Sequence, residues 1–185
     1  IGEQTKQDLI DKLKVDPQRI EVVYQSCSSN FYQLLPPEAL EATRIRYELP
    51  KNFLLYVGAI TAAKNITAIV HALKLLPPEH TLPLVVVGRE SSYLPQLQEE
   101  IAKLELEERV IFKTPAGEDL PAIYQLATIF TFPSLFEGFG IPIIESLFSG
   151  TPVITTDEAV FKEAGGDGSR YIDPTSPKEL AKMIA

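Results

Sequence analysis

Apolar positions along this chain follow two rhythms. Short unbroken runs, Phe53-Leu54-Leu55-Tyr56-Val57, Leu84-Val85-Val86-Val87, Val110-Ile111-Phe112, Thr128 to Phe132 and Pro152 to Thr155, read as strands covered on both faces. Between them apolar residues recur at intervals of three and four, the spacing of one helix face: Ile66, Ile69, Val70, Leu73 and Leu76 behind Asn65 as the cap, then Leu94, Leu97, Ile101 and Leu104, then Leu120, Ile123, Tyr124 and Ala127. A further helix is expected over about Pro142 to Ser149, with Ile144 and Leu147 turned to the core. Pro77-Pro78 and Gly150 supply stops. Strand and helix alternating over short connections predict a parallel sheet with right-handed crossovers, an α/β, doubly wound, Rossmann-like domain.

Residues 1–50 read differently, as an entry segment to a Rossmann-like core at 51–185. Leu9, Ile10 and Leu13 mark a narrow helical stripe ended by Asp16-Pro17. Ile20-Glu21-Val22-Val23-Tyr24 reads as a strand, Gln25 to Asn30 as a polar loop, and Glu38 to Tyr47 as a helix closed by Leu49-Pro50. The whole is one domain of 185 residues, long enough for a real core.

Charge narrows the class of partner. Seventeen Lys and Arg face 25 Asp and Glu, a formal net charge of −8, which argues against nucleic acid or an anionic membrane as the main partner. No apolar run has the roughly 18–20 residues of a spanning helix, and no basic segment followed by an apolar stretch opens the sequence. Met183 is the single methionine and the first residues are Ile1-Gly2-Glu3, so the sequence is expected to be a piece of a longer protein.

In doubly wound sheets ligands bind at the carboxyl ends of the strands, which directs attention to the loops after Val57, Val87, Phe112 and Phe132. The last is the most informative: Pro133-Ser134-Leu135-Phe136-Glu137-Gly138-Phe139-Gly140-Ile141-Pro142-Ile143-Ile144-Glu145. Pro142 suits a first helical turn, and free N–H groups of Gly140 and Ile141 at a helix N-terminus form an anion site. Glu145, expected in the first turn, can accept two hydrogen bonds from a vicinal diol such as a ribose; Glu137 can accept from sugar hydroxyls. The same residues also fit a glycine-relaxed turn with Glu145 favouring the helix start. After the first strand comes Gly58-Ala59-Ile60-Thr61-Ala62-Ala63-Lys64-Asn65, where Lys64 stands at the electrostatically unfavourable end of a helix; either it is a solvated lysine, or a bound diphosphate supplies its countercharge. Cys27, His71, His80 and Ser134 show no metal-ligand spacing and no nucleophile elbow.

With these loops in view the chain resembles the C-terminal half of retaining GT-B glycosyltransferases of family 4, the glycosyl transferases group 1, over essentially its whole length. The marks are Tyr56-Val57-Gly58, Lys64-Asn65, Val85-Val86-Val87-Gly88, Arg109 to Phe112, Glu118 to Pro121, Phe132-Pro133-Ser134, Glu137 to Glu145, Gly150 to Ile154 and Tyr171 to Pro174. The resemblance implies a domain that binds a nucleotide sugar (UDP-, GDP- or ADP-linked) for transfer of a mannose- or glucose-type hexose. Glu145 would hold the ribose; Phe139, Gly140 and Ile141 would offer N–H groups, with Gly58 and Gly138 in the same loops. Lys64 and Glu137 would carry the catalytic roles, on the diphosphate and the hexose. Phe112 and Lys113 would flank the base. No cofactor and no metal are implied. The N-terminal acceptor domain would be absent, the isolated piece inactive, and the enzyme cytoplasmic or peripheral at the inner face of a membrane, any membrane contact made through the absent half.

Three departures stand out. Ala59 and Ala63 occupy places where the family commonly has arginine, with Arg89 either a replacement or a surface arginine, and Thr114-Pro115 replace a glycine beyond the third strand. Glu163 either matches a family glutamate or caps Phe161 to Gly165. Two rival readings remain: a nucleotide-sugar epimerase of GT-B architecture, and a degenerate donor domain acting as an interaction module.

Overall fold

The computed structural model describes residues 2–77, 79–80, 82–89 and 91–185. The strands β1 (Leu54–Val57), β2 (Leu84–Val87), β3 (Val110–Lys113), β4 (Ile129–Phe132), β5 (Val153–Thr156) and β6 (Arg170–Ile172) form one sheet in the order β3-β2-β1-β4-β5-β6. Every pairing is parallel, with Leu54 opposite both Leu84 and Ile129. The helices are α1 (Glu3–Leu13), α2 (Pro37–Arg46), α3 (Ile66–Leu75), α4 (Leu94–Lys103), α5 (Leu120–Leu126), α6 (Ile141–Phe148), α7 (Ala159–Gly165) and α8 (Pro177–Ile184). They pack in two groups, α3 with α4 and α8, and α5 with α2 and α6, the latter continuing through α7 to α1. All four residues of β1 and of β2 are buried, as strands between two helical layers must be. Pro78, expected to help stop α3, lies outside the described residues.

The structure departs from the apolar pattern at several points. Ile20–Tyr24 is not a strand. It has no ladder partner among the described residues, and Val23 and Tyr24 are 68% and 55% exposed; an apolar alternating run becomes a strand only where a neighbour takes its hydrogen bonds. Conversely β6 is a strand that its short run Arg170–Ile172 does not announce. From the entry segment, Phe31 and Leu49 are buried in the same cluster as the sheet.

Asn65 precedes α3, yet it does not cap it. Its backbone is left-handed (φ 55°) and its amide donates to the carbonyls of Pro133 (3.1 Å) and Pro174 (2.8 Å), tying the loop after β4 and the turn after β6 to the start of α3. Asn65→Ala is therefore expected to lower the unfolding free energy by about 3 kcal/mol, from two orphaned carbonyls and a left-handed Cβ, and Asn65→Gly by about 1 kcal/mol less. Urea denaturation of both variants measures the difference.

Candidate functional site

The winding of the sheet reverses between β1 and β4, so the loops that follow these two strands leave side by side, at the place where such sheets take ligands. They are laced together: Leu135 N donates to Ala63 O (2.8 Å), Ser134 Oγ to the same carbonyl (3.2 Å), and Asn65 to Pro133. The Lys64 ammonium, 5.8 Å from the Phe132 ring centre, pairs with the Glu137 carboxylate. Both side chains are largely shielded, 23% and 13% exposed, so this pair is stronger than a surface one. The countercharge that Lys64 needs at the start of a helix is thus present as Glu137 itself.

Gly140 forms the entry to α6 with φ 105°, a conformation that favours glycine, and a Cβ there would press on Ile143 Cδ1 at 3.1 Å. The N–H groups of Gly140 and Ile141 have no backbone acceptor among the described residues, and with the helix dipole they present a positive pole. Phe139 is buried beneath Tyr24, ring centres 5.7 Å apart, and Gly138 O accepts from Thr5 Oγ1 (3.3 Å). The core face of α6 is set by Ile143 and Ser146, with Leu147 partly buried behind them and Ile144 not fully buried. Since α6 starts at Ile141, Glu145 stands just beyond the first turn, half-buried. Its Oε2 accepts from Tyr124 Oη at 2.9 Å.

Beside these loops a cleft of about 390 Å³ lies at the carboxyl ends of β1, β2 and β3, walled by Gly58, Ala59, Gly88, Arg89, Thr114, Pro115, Gly117 and Leu120. Gly88 is required there: a Cβ would sit 2.3 Å from the Gly58 carbonyl. Arg89 reaches this cleft, whereas Phe112 and Lys113 stay on β3, Lys113 with its ammonium 3.6 Å from Glu48; Thr114 and Pro115 form the wall instead. A second cleft of about 380 Å³ brings Gln4, Asp8 and Lys12 of α1 against Phe136, Glu137 and Glu158. Glu163 caps a helix other than its own, accepting from Glu3 N (3.1 Å) and Gln4 N (2.9 Å) at the start of α1. Among the described residues no three His, Cys, Asp or Glu side chains gather as a cation site, and no helix is long and apolar enough to cross a membrane.

Tyr124 is the site residue that the apolar periodicity absorbed into a core stripe. Its signal was chemical: a tyrosine in a fully buried position needs a partner for its hydroxyl. Burial holds the Glu145 carboxyl above the usual carboxylate range, and the Tyr124 hydrogen bond partly offsets that. A carboxyl whose folded pKa is raised holds its proton more tightly in the fold, so its contribution to stability declines as pH rises from the unfolded value through the folded one. Glu145→Gln is expected to raise the melting temperature at neutral pH, with the gain vanishing as pH falls through the carboxylate range. Melting curves of both proteins across pH 3–8 check this.

The family model for glycosyl transferases group 1 matches residues 41–185. The O-antigen chain mannosyltransferase RfbU of Salmonella typhimurium is 32% identical over 180 residues, covering 97% of this chain and 47% of that protein. The O-antigen chain mannosyltransferase B of Escherichia coli is 32% identical over 190 residues, covering 100% of this chain and 49% of that protein. The chain therefore spans about half the length of the curated relatives it matches. Among solved structures, Anabaena HepE in complex with UDP and glucose superposes with a TM-score of 0.86 at 22% identity, over 98% of this chain and 50% of that one. The C-terminal domain of the Francisella tularensis group 1 protein LpcC superposes with a TM-score of 0.68 at 17% identity, over 85% and 86% of the two chains. This chain belongs to the glycosyl transferases group 1, as a C-terminal domain of the GT-B fold.

Proposed function

We propose that this chain is the donor-binding half of a retaining, family 4 hexosyltransferase. In this reading it takes a mannose- or glucose-type sugar from a nucleoside diphosphate. The observation that carries the reading is the convergence at the β1/β4 reversal of one cation, Lys64, one helix N-terminus, at Gly140-Ile141, and two carboxylates, Glu137 and Glu145. The mannosyltransferase relatives and the UDP complex of a structural neighbour support it.

Each group has a task in the transfer. As the bond from the sugar to the diphosphate breaks, charge builds on the leaving oxygens. Lys64 and the Gly140 and Ile141 N–H groups, fixed beforehand, stabilise that charge, so the reading needs no metal. Glu137 then meets the hexose and Glu145 the ribose, while the cleft between Gly58 and Pro115 takes the base. Arg89, on the wall of that cleft, stands in for the arginine missing at Ala59 and Ala63. The acceptor would be supplied by an N-terminal half, and without it reacting groups are not brought together, so the isolated chain turns nothing over. The reading places the enzyme in the cytoplasm or at the inner face of a membrane.

The Lys64–Glu137 pair gives this reading a distinctive consequence. An incoming diphosphate has to draw Lys64 away from Glu137, so the carboxylate opposes binding of a bare nucleoside diphosphate even though the sugar needs it. Calorimetric titration of the chain with UDP, GDP and ADP, without metal, is expected to show saturable binding of one of them. Glu145→Ala should weaken it about 10- to 100-fold, the loss of hydrogen bonds to a charged group. Glu137→Gln should tighten it several-fold while abolishing turnover in the full-length protein. No binding by any of the three, or turnover untouched by Glu137→Gln, would refute the assignment.

A further inference from the structure

We propose that Tyr124 is the positioning residue for Glu145: its buried hydroxyl aims the carboxylate at the two ribose hydroxyls of the nucleotide. The inference rests on the reading of Glu145 as the ribose-holding group, and deepens it.

Tyr124 is fully buried on α5. Its ring meets Phe31 and Phe130 edge-on, at 5.7 and 5.3 Å between centres, and its backbone carbonyl accepts from Thr151 Oγ1. Two rings thus flank the phenol and a third contact holds its backbone. Phenylalanine would fill the same space, and a phenol hydroxyl buried there is unfavourable unless it is paired. The partner is Glu145 Oε2 at 2.9 Å, and among the described residues no other side chain donates to that carboxylate. Burial and the neighbouring carboxylate push the phenol's pKa up, which favours its donating form. Glu145 is otherwise a three-torsion side chain on the half-exposed part of α6, with rotamer freedom to lose when a ligand orders it. With Oε2 anchored from below, Oε1 and the outer lone pair of Oε2 remain for the diol. Among the described residues Cys27, from the entry segment, and Tyr56, from β1, are the other titratable groups facing this pair.

The test uses the 185-residue chain with whichever of UDP, GDP and ADP it binds, and the 2′-deoxy form of the same nucleotide. Tyr124→Phe keeps the ring and removes the hydroxyl. The expected result is a loss of about tenfold in affinity for the ribonucleotide, with a smaller loss for the deoxynucleotide, which keeps one of the two hydroxyls, so that the preference between them shrinks. In a Glu145→Ala background Tyr124→Phe should change neither affinity further, and the carboxyl-carbon NMR titration of Glu145 should move to higher pH in Tyr124→Phe. A purely structural role would lower both affinities in parallel and leave the preference intact, which overturns the inference while sparing the donor site. Absence of binding by all three nucleotides overturns the donor reading and this inference together. Should Tyr124→Phe fail to fold, 3-fluorotyrosine at position 124 keeps the shape and strengthens the donor; an unchanged ribose preference there overturns the inference.

Discussion

The reversal of winding between β1 and β4 is the constraint on which the rest of the molecule depends. Elsewhere in the sheet a crossover helix sits over the pair of strands that it joins. Between β1 and β4 none does, because the chain leaves β1 towards β2 and comes back only after β3. The ends of these two strands therefore open into a space that only loops can line. Asn65, reaching to Pro133 and Pro174, turns that opening into a fixed frame, and Leu135 and Ser134 bind back to Ala63 to complete it.

Within the frame the electrostatics are self-contained. Lys64 and Glu137 satisfy one another in a shielded place, and Glu145 is held half out of water by a phenol. Each charge has a partner that costs less than solitary burial and that a better ligand can displace or share. The chain carries a formal charge of −8, so an anionic ligand is not drawn by the long-range field; the local cation and the N–H groups of α6 have to do the attracting.

Much of this could be read from the sequence, and the reasons are particular. Leu84–Val87 is bounded by proline and glycine, so its limits were plain; the run Val110–Phe112 stops one residue short of β3, which continues to Lys113; and the glycine-rich stretch before Pro142 located the start of α6 within a residue. Alternation marked the loops after Val57, Val87, Phe112 and Phe132, but which two flank the reversal came from the strand order. What periodicity could not supply was pairing. Ile20–Tyr24 has the composition of a strand and lacks a neighbour; Asn65 has the place of a cap and uses its amide elsewhere; Glu163 serves α1, 159 and 160 residues away in sequence. Tyr124 looked like one more member of an apolar stripe, since spacing records that a position is inside but not what its one polar atom must meet.

The contacts made by the entry segment on the glycine loop have a thermodynamic meaning. Tyr24 lies on Phe139, Thr5 holds the Gly138 carbonyl, and Glu163 fastens the start of α1 beside them. A loop with glycine at 138 and 140 would otherwise sample many backbone states, and a ligand would have to select one of them at an entropic cost. Here that selection is made during folding, by residues far away in the chain. The glycines keep their permissive geometry without their disorder, and the entry segment acts as a preorganising splint for the loop.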